Sequence, residues 1–197
     1  MPTHPSGQES HHAPGTHCPS DLTAEQRPLH ENMQEGIRKH LHGFIAQRED
    51  GAVIGPFPAM LHFPQFGAAT WSVFTALSEN STLPKPAHEV AILVTGARLN
   101  SRYELYSHER VAKLAGLSES KIATITAGQR PADLSHEEGI AYDVAACLSN
   151  GGQLHDTTYK AAVEAFGKDG TAELVYLIGC YCMISVLLNA YDVPLPD

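Results

Sequence analysis

Apolar residues along this chain recur mostly three or four positions apart, the period of a helix with one buried face. Leu29, Met33, Ile37 and Leu41 form one such row. It predicts a helix entering at Leu22, capped by Asp21 or Ser20, with Thr23-x-x-Gln26 at capping-box spacing. Pro28 falls in its early part, where a proline can divide a helix in two. The stretch from Gly51 to Pro58 is rich in glycine and proline and reads as a loop. A short helical turn follows at 58–63, then a helix over 64–77 with proline near its first position, carrying Phe66, Trp71, Phe74 and Leu77. The run Val90–Val94 fits a buried strand as well as a buried helix. Pro86 in the first turn, a length of about 14 residues and the lack of a second strand-like run decide for a helix over 86–99. Further helices are expected over 101–115, closed by Gly116, and from Ser118 to Gly128. Ser135-x-x-Glu138 opens another, to about Leu148. Asp156 caps 157–166, with Gly167 just beyond its end, and a last apolar helix runs over 170–190 before Pro194 and Pro196. The pattern predicts one all-α domain over 21–197, with about seven to nine helices.

Residues 1–20 break the pattern. They hold four prolines and no Leu, Ile, Val, Phe, Tyr or Trp, so they cannot bury enough apolar surface to offset ordering and read as a flexible tail. His11, His12, His17 and Cys18 could pick up a stray metal ion, but a solvated tail is the plainer reading.

Composition narrows the class. With 197 residues, 43% of them hydrophobic, the chain can build one solid core and not two large ones. Its 22 acidic against 13 basic residues give a net charge of −9, which disfavours nucleic acid and anionic membrane surfaces as partners. No uninterrupted apolar run reaches transmembrane length, and the 174–190 stretch reads as a core helix. Cys18, Cys147, Cys180 and Cys182 form no C-x-x-C, so no local dithiol or zinc site is written, and the thiols of the body read as buried and inert. A cytoplasmic location is the default expectation, since the N-terminus lacks the apolar core of a secretory signal.

Seven of the twelve histidines precede Gly43, which leaves His62, His88, His108, His136 and His155 in the body. Of these, His108 has a carboxylate one helical turn away, at Glu104. A carboxylate beside an imidazole favours the imidazolium and can tune a proton shuttle. Ser101 lies three residues further back on the same face, and Tyr103 and Tyr106 flank the pair. Alone, a Glu–His pair at this spacing is more often a surface pair than a catalytic one. Glu89 adds to it, because it precedes the apolar run Val90–Val94 and must be paired or functional if it faces inward. A metal held by Glu89, Glu104 and His108 is disfavoured, since no second histidine stands at a helical ligand spacing. Arg98, Arg102 and Arg110 lie near the motif but read as solvated.

The spacing Glu89, Ser101, Glu104, His108, Ala112, Gly116 resembles the carboxymuconolactone decarboxylase / alkyl hydroperoxidase D-like superfamily. Its redox branch carries E-x11-C-x-x-C-x-x-x-H followed by A-x-x-x-G. Here Ser101 and Glu104 stand where the two redox cysteines would be, so thiol peroxidase chemistry is disfavoured. The strings YELYSHERVAKLAGLS and LIGCYCMISVLLNAYDVPLP resemble the cysteine-free, decarboxylase-like branch.

The resemblance implies an alkyl hydroperoxidase D-like helical bundle that forms a homo-oligomer, a trimer or hexamer. It also implies cofactor-free acid–base decarboxylation of a small carboxylated lactone or related acid. In that reading His108 delivers the proton, Glu104 orients and charges it, and Glu89 anchors or relays from the preceding helix. Ser101, Tyr103, Trp71 and Phe57 are the candidate substrate contacts, with core packing the plainer role for the last two. Asn189 and Tyr191 are candidates to close the pocket. Two other readings stay open: a non-catalytic helical oligomer that binds a small molecule or partner, and a related proton-transfer isomerase or cyclase.

Overall fold

A computed structural model describes Gly15 and residues 18–196. Most of the expected tail, including His11, His12 and His17, lies outside the described residues. Its last residues do not behave as tail. Pro19–Asp21 form a 3-10 turn whose carbonyls at Pro19 and Ser20 accept from the Arg27 guanidinium.

The described residues form eight helices: α1 Arg27–His40, α2 Phe57–His62, α3 Pro64–Asn80, α4 Lys85–Arg98, α5 Arg102–Leu114, α6 Glu119–Thr126, α7 His136–Ser149 and α8 Asp156–Ala190. No strand occurs among them beyond one isolated bridge, Gln47 with Val53. The all-α expectation therefore holds, and α4 is the helix that the Val90–Val94 ambiguity resolved into.

Local chemistry explains most of the ends. The Thr23/Gln26 capping box forms both of its bonds, at 2.9 and 3.3 Å, but α1 starts only at Arg27, with Pro28 in its first turn rather than inside it. Ser118 and Ser135 cap α6 and α7, the latter in a complete capping box with Glu138. The two helices expected around Gly167 are both present: α8 consists of two helical segments that meet at a kink, where Gly167 takes the non-helical φ 70° and ψ 176°. That backbone region is open in practice to glycine alone.

Helix α4 is the centre of the domain. Residues Val90 to Thr95 are buried on every side, and α5, α6, α7 and α8 all pack on it. Helices α3 and α8 pair antiparallel, with Thr70 beside Met183, Phe74 beside Tyr181 and Thr82 beside Glu173. Helix α1 lies on α3 through Gly36, where a Cβ would meet the Trp71 ring at 2.4 Å.

The turn from α4 to α5 positions the site. Asn100 takes the left-handed conformation (φ 52°) that ends helices, and the Ser101 N–H returns to the Gly96 carbonyl at 2.9 Å. The chain reverses there. Glu89, eleven residues before Asn100, comes to lie opposite His108, eight residues after it.

Candidate active site

His108 Nδ1 meets Glu89 Oε2 at 2.8 Å, and His108 Nε2 faces Glu104 Oε1 at 3.4 Å. All three residues are buried, at 9%, 6% and 4% exposure. The structure thus brings together the three groups picked out by spacing, but with the weights reversed. The strong partner of His108 is Glu89, across the helix pair, while its i,i+4 neighbour Glu104 is held more loosely. An i,i+4 contact depends on two rotamers meeting over one turn, whereas the α4–α5 hairpin sets Glu89 directly against the ring. The two carboxylates stand at opposite edges of the imidazole, which does not focus their oxygens on one coordination point.

Burial alone would strip the charge from His108. The charge and hydrogen bond of Glu89, with the charge of Glu104, outweigh that and hold the imidazole pKa above its ordinary value. Glu104 moves the other way. Burial, with Glu89 nearby, pushes its carboxyl up to about 7 despite the opposing charge of His108. A proton on Glu104 is therefore given or taken near neutral pH.

Ser101 is the N-cap residue of α5, fully buried, and its Oγ has no hydrogen-bond partner. It does not spend its hydroxyl on capping, so the donor is available beside the Glu104 face of the helix. Ser185 Oγ, on α8, is also buried and unpartnered.

Tyr103 is elsewhere. Its hydroxyl donates to the Ile45 carbonyl at 2.8 Å, and its ring fills the space that a Cβ on Gly55 would need. Trp71 and Phe57 are core residues. Trp71 donates through Nε1 to Asn32 at 2.6 Å, stacks on Phe74 at 5.2 Å and meets Phe57 edge-on at 5.7 Å. Ring contacts from Trp71 to Phe74, Phe74 to Tyr181 and Tyr181 to His108 stand between them and the triad. Asn189 braces the α4–α5 turn by donating to the Leu99 carbonyl at 2.7 Å.

Tyr181 was missed by the spacing argument. Its ring stands edge-on to His108, with centroids 5.1 Å apart, and burial with the nearby carboxylates holds its hydroxyl protonated. A phenol within the uncharged stretch of α8 was the available signal. Cys180, its neighbour, has a thiol pushed up to about 12 by burial and by Glu104, the opposite of an activated nucleophile. Arg110 lies over the Tyr106 ring at 3.9 Å and lines an open cleft with Phe44 and Ile45, on the side of α5 away from Glu104 and His108.

No protein-family model matches the sequence, and no curated protein is similar to it. Solved structures are similar in fold. The debrominase Bmp8 superposes with a TM-score of 0.69 at 14% identity, over 89% of this chain and 90% of its own. A variant of it in complex with 2,3,4-tribromopyrrole gives the same values. An uncharacterised peroxidase-related protein from Ralstonia eutropha JMP134, described as an alkylhydroperoxidase AhpD core, superposes with a TM-score of 0.71 at 14% identity, over 93% of this chain and 91% of its own. The chain therefore shares the all-α fold of the alkylhydroperoxidase AhpD core protein and of the debrominase.

Proposed function

We propose that the chain is an enzyme that uses the Glu89–His108–Glu104 triad for cofactor-free decarboxylation of a small carboxylated lactone or related acid. The observation that carries this reading is a buried imidazole held between two buried carboxylates, Glu89 at 2.8 Å and Glu104 at 3.4 Å, with burial pushing the Glu104 carboxyl up to about 7. Loss of CO2 leaves an electron pair on carbon, as a dienolate, and the reaction completes when a proton arrives there. His108, held by Glu89, supplies positive charge beside that carbon. The Glu104–His108 pair holds the proton to be delivered. The free hydroxyl of Ser101 donates to a substrate oxygen. Thiol chemistry has no support at these positions, since Ser101 and Glu104 carry no sulfur and the Cys180 and Cys182 thiols are raised by burial.

The test is CO2 release from a panel of carboxylated lactones. His108→Asn and Glu104→Gln should each lower turnover about 100-fold or more, the usual scale of general acid–base catalysis, with the melting transition still cooperative. Variants that keep wild-type turnover would remove the triad from the mechanism.

The burial of the triad favours a second reading, in which it is an ion network tying α4 to α5 in a protein that binds a ligand without turnover. Under it, no substrate is consumed, yet a ligand raises the melting temperature.

The homo-oligomer implied by the resemblance gains support from one face. Neither α3 from Pro64 to Ser78 nor α8 from Leu174 to Ala190 carries a charged residue. Phe66 and Val73 on one, and Val175, Tyr176, Met183 and Val186 on the other, are 39–70% exposed. Together they present roughly 600 Å², against ~800 Å² per partner in a standard interface. A second copy is the occupant that fits, because a chain of charge −9 meets its own kind with least repulsion through an uncharged face.

A further inference from the structure

A buried acid–base group needs a way to exchange protons with solvent, and one cluster outside the triad is built for it. His88 directly precedes Glu89 on α4 and is half-buried. Its Nδ1 lies 3.2 Å from Ser81 Oγ, in the loop between α3 and α4. Ser81 in turn donates its hydroxyl proton to Glu173 Oε1 at 2.5 Å. Glu173 is fixed by two more donors, the N–H and the hydroxyl of Thr82, at 2.8 and 2.7 Å.

These bonds set the tautomer. Ser81 has one proton, and Glu173 holds it, so toward His88 the serine oxygen can only accept. His88 Nδ1 must therefore be the donor, and in the neutral ring Nε2 carries the lone pair. Burial lowers the pKa of His88 despite the charges of Glu89 and Glu173, with the His108 charge adding to the lowering, so the neutral ring is the resting form. The imidazole lines a small cavity with Ser78, Leu177 and Tyr181. Its water-accessible space of about 10 Å³ is at the lower limit for one water molecule. On its other side Tyr181 stands edge-on to His108.

We propose that His88, with Ser81 behind it, is the port through which the buried triad exchanges protons with solvent. The path runs from the triad past Tyr181 to the cavity, then through His88 to Ser81, which is exposed. The triad itself does not line the cavity, so the proton crosses by way of the Tyr181 hydroxyl and a water in the cavity, each passing one proton on as it receives one. His88 takes a proton at Nε2 and releases the one at Nδ1 to Ser81 Oγ, and Ser81 gives up its own to Glu173 or to surface water. The groups that set the charge around His88 are Glu89 on its own helix, His108 on α5 and Glu173 on α8; across the cavity it meets the neutral Tyr181 of α8 and Ser78 of α3. His88 is a relaying and positioning residue, not one that touches substrate. The proposal rests on the triad holding an exchangeable proton and is independent of which substrate it serves.

The test needs no turnover. In the full chain with 15N-labelled histidine, the exchange of the His108 imidazole N–H with solvent is measured by NMR at neutral pH. His88→Gln keeps a hydrogen-bonding side chain but no transferable proton, and should slow the exchange about tenfold. Ser78→Val leaves His88 intact, makes that wall of the cavity apolar and should slow it similarly. Slowing of threefold or more in either folded variant supports the port. Exchange within threefold of wild type in every variant that folds, judged by circular dichroism, overturns it. A chain that lacks decarboxylase activity but shows the slowing would retain the port and lose only the assigned reaction.

Discussion

Two buried carboxylates around one buried imidazole cannot all hold full charge without penalty, and the molecule meets this by raising the proton affinity of Glu104. That choice links stability to pH. The Glu104 pKa is about 7 in the fold against an ordinary 4.5, so between those values the folded chain binds more protons than the unfolded chain. Stability from this group is full below pH 4.5 and declines as pH rises through 7. His108, also raised, acts in the same direction above its ordinary 6.5. A shift of this size corresponds to roughly 3 kcal/mol. Urea unfolding of Glu104→Gln should therefore show a flatter dependence between pH 5 and 8 than wild type; an unchanged slope would place the titrating group elsewhere. Tyr103 belongs to a different account. Its hydroxyl serves the Ile45 carbonyl, so Tyr103→Phe should lose about 1 kcal/mol of stability and leave turnover intact. At this scale the sequence disclosed which residues meet but not how strongly. Glu104 and His108 share a helix face by spacing alone. The 2.8 Å bond from His108 to Glu89 depends on where the α4–α5 turn reverses, and Tyr181 arrives from a helix about 70 residues later in the chain.

Helix ends followed their side chains where the cap is local, as at Ser118, Ser135 and Asn100. They departed where the neighbours decide. The capping box at Thr23 and Gln26 forms, yet the helix waits until Arg27. Gly167 does end a helix as its position predicts, but the next segment of α8 begins directly across the kink, without a loop. Close approach between elements was not legible in the sequence at all. Helix α2 lies so near α3 that a Cβ on Gly67 would sit 2.0 Å from the Met60 carbonyl oxygen, with backbone on both sides. Gly67→Ala should therefore separate α2 from α3 and cost about 3 kcal/mol or more, measured by chemical denaturation. If it is neutral, the α2–α3 packing is looser than the structure has it.

At the scale of the whole molecule, the uncharged α3–α8 face is the surface on which the proposed homo-oligomer can be tested. Phe66→Asp with Val186→Asp should shift the mass measured by light scattering toward the monomer while the helical signal stays unchanged. If the wild-type chain is monomeric at micromolar concentration, that face has another role. The same face has a consequence for how the chain folds. Helix α8 is long and apolar enough to pass for a membrane span, and about half of its apolar stretch is covered in the folded domain. It follows α1 to α7 in the chain, so the helices that cover it are made before it emerges. Once unfolded, the chain presents a long, chargeless, sticky segment, and heat denaturation should end in precipitate. Its apparent melting temperature will then rise with scan rate, reporting how fast the domain opens rather than how stable it is.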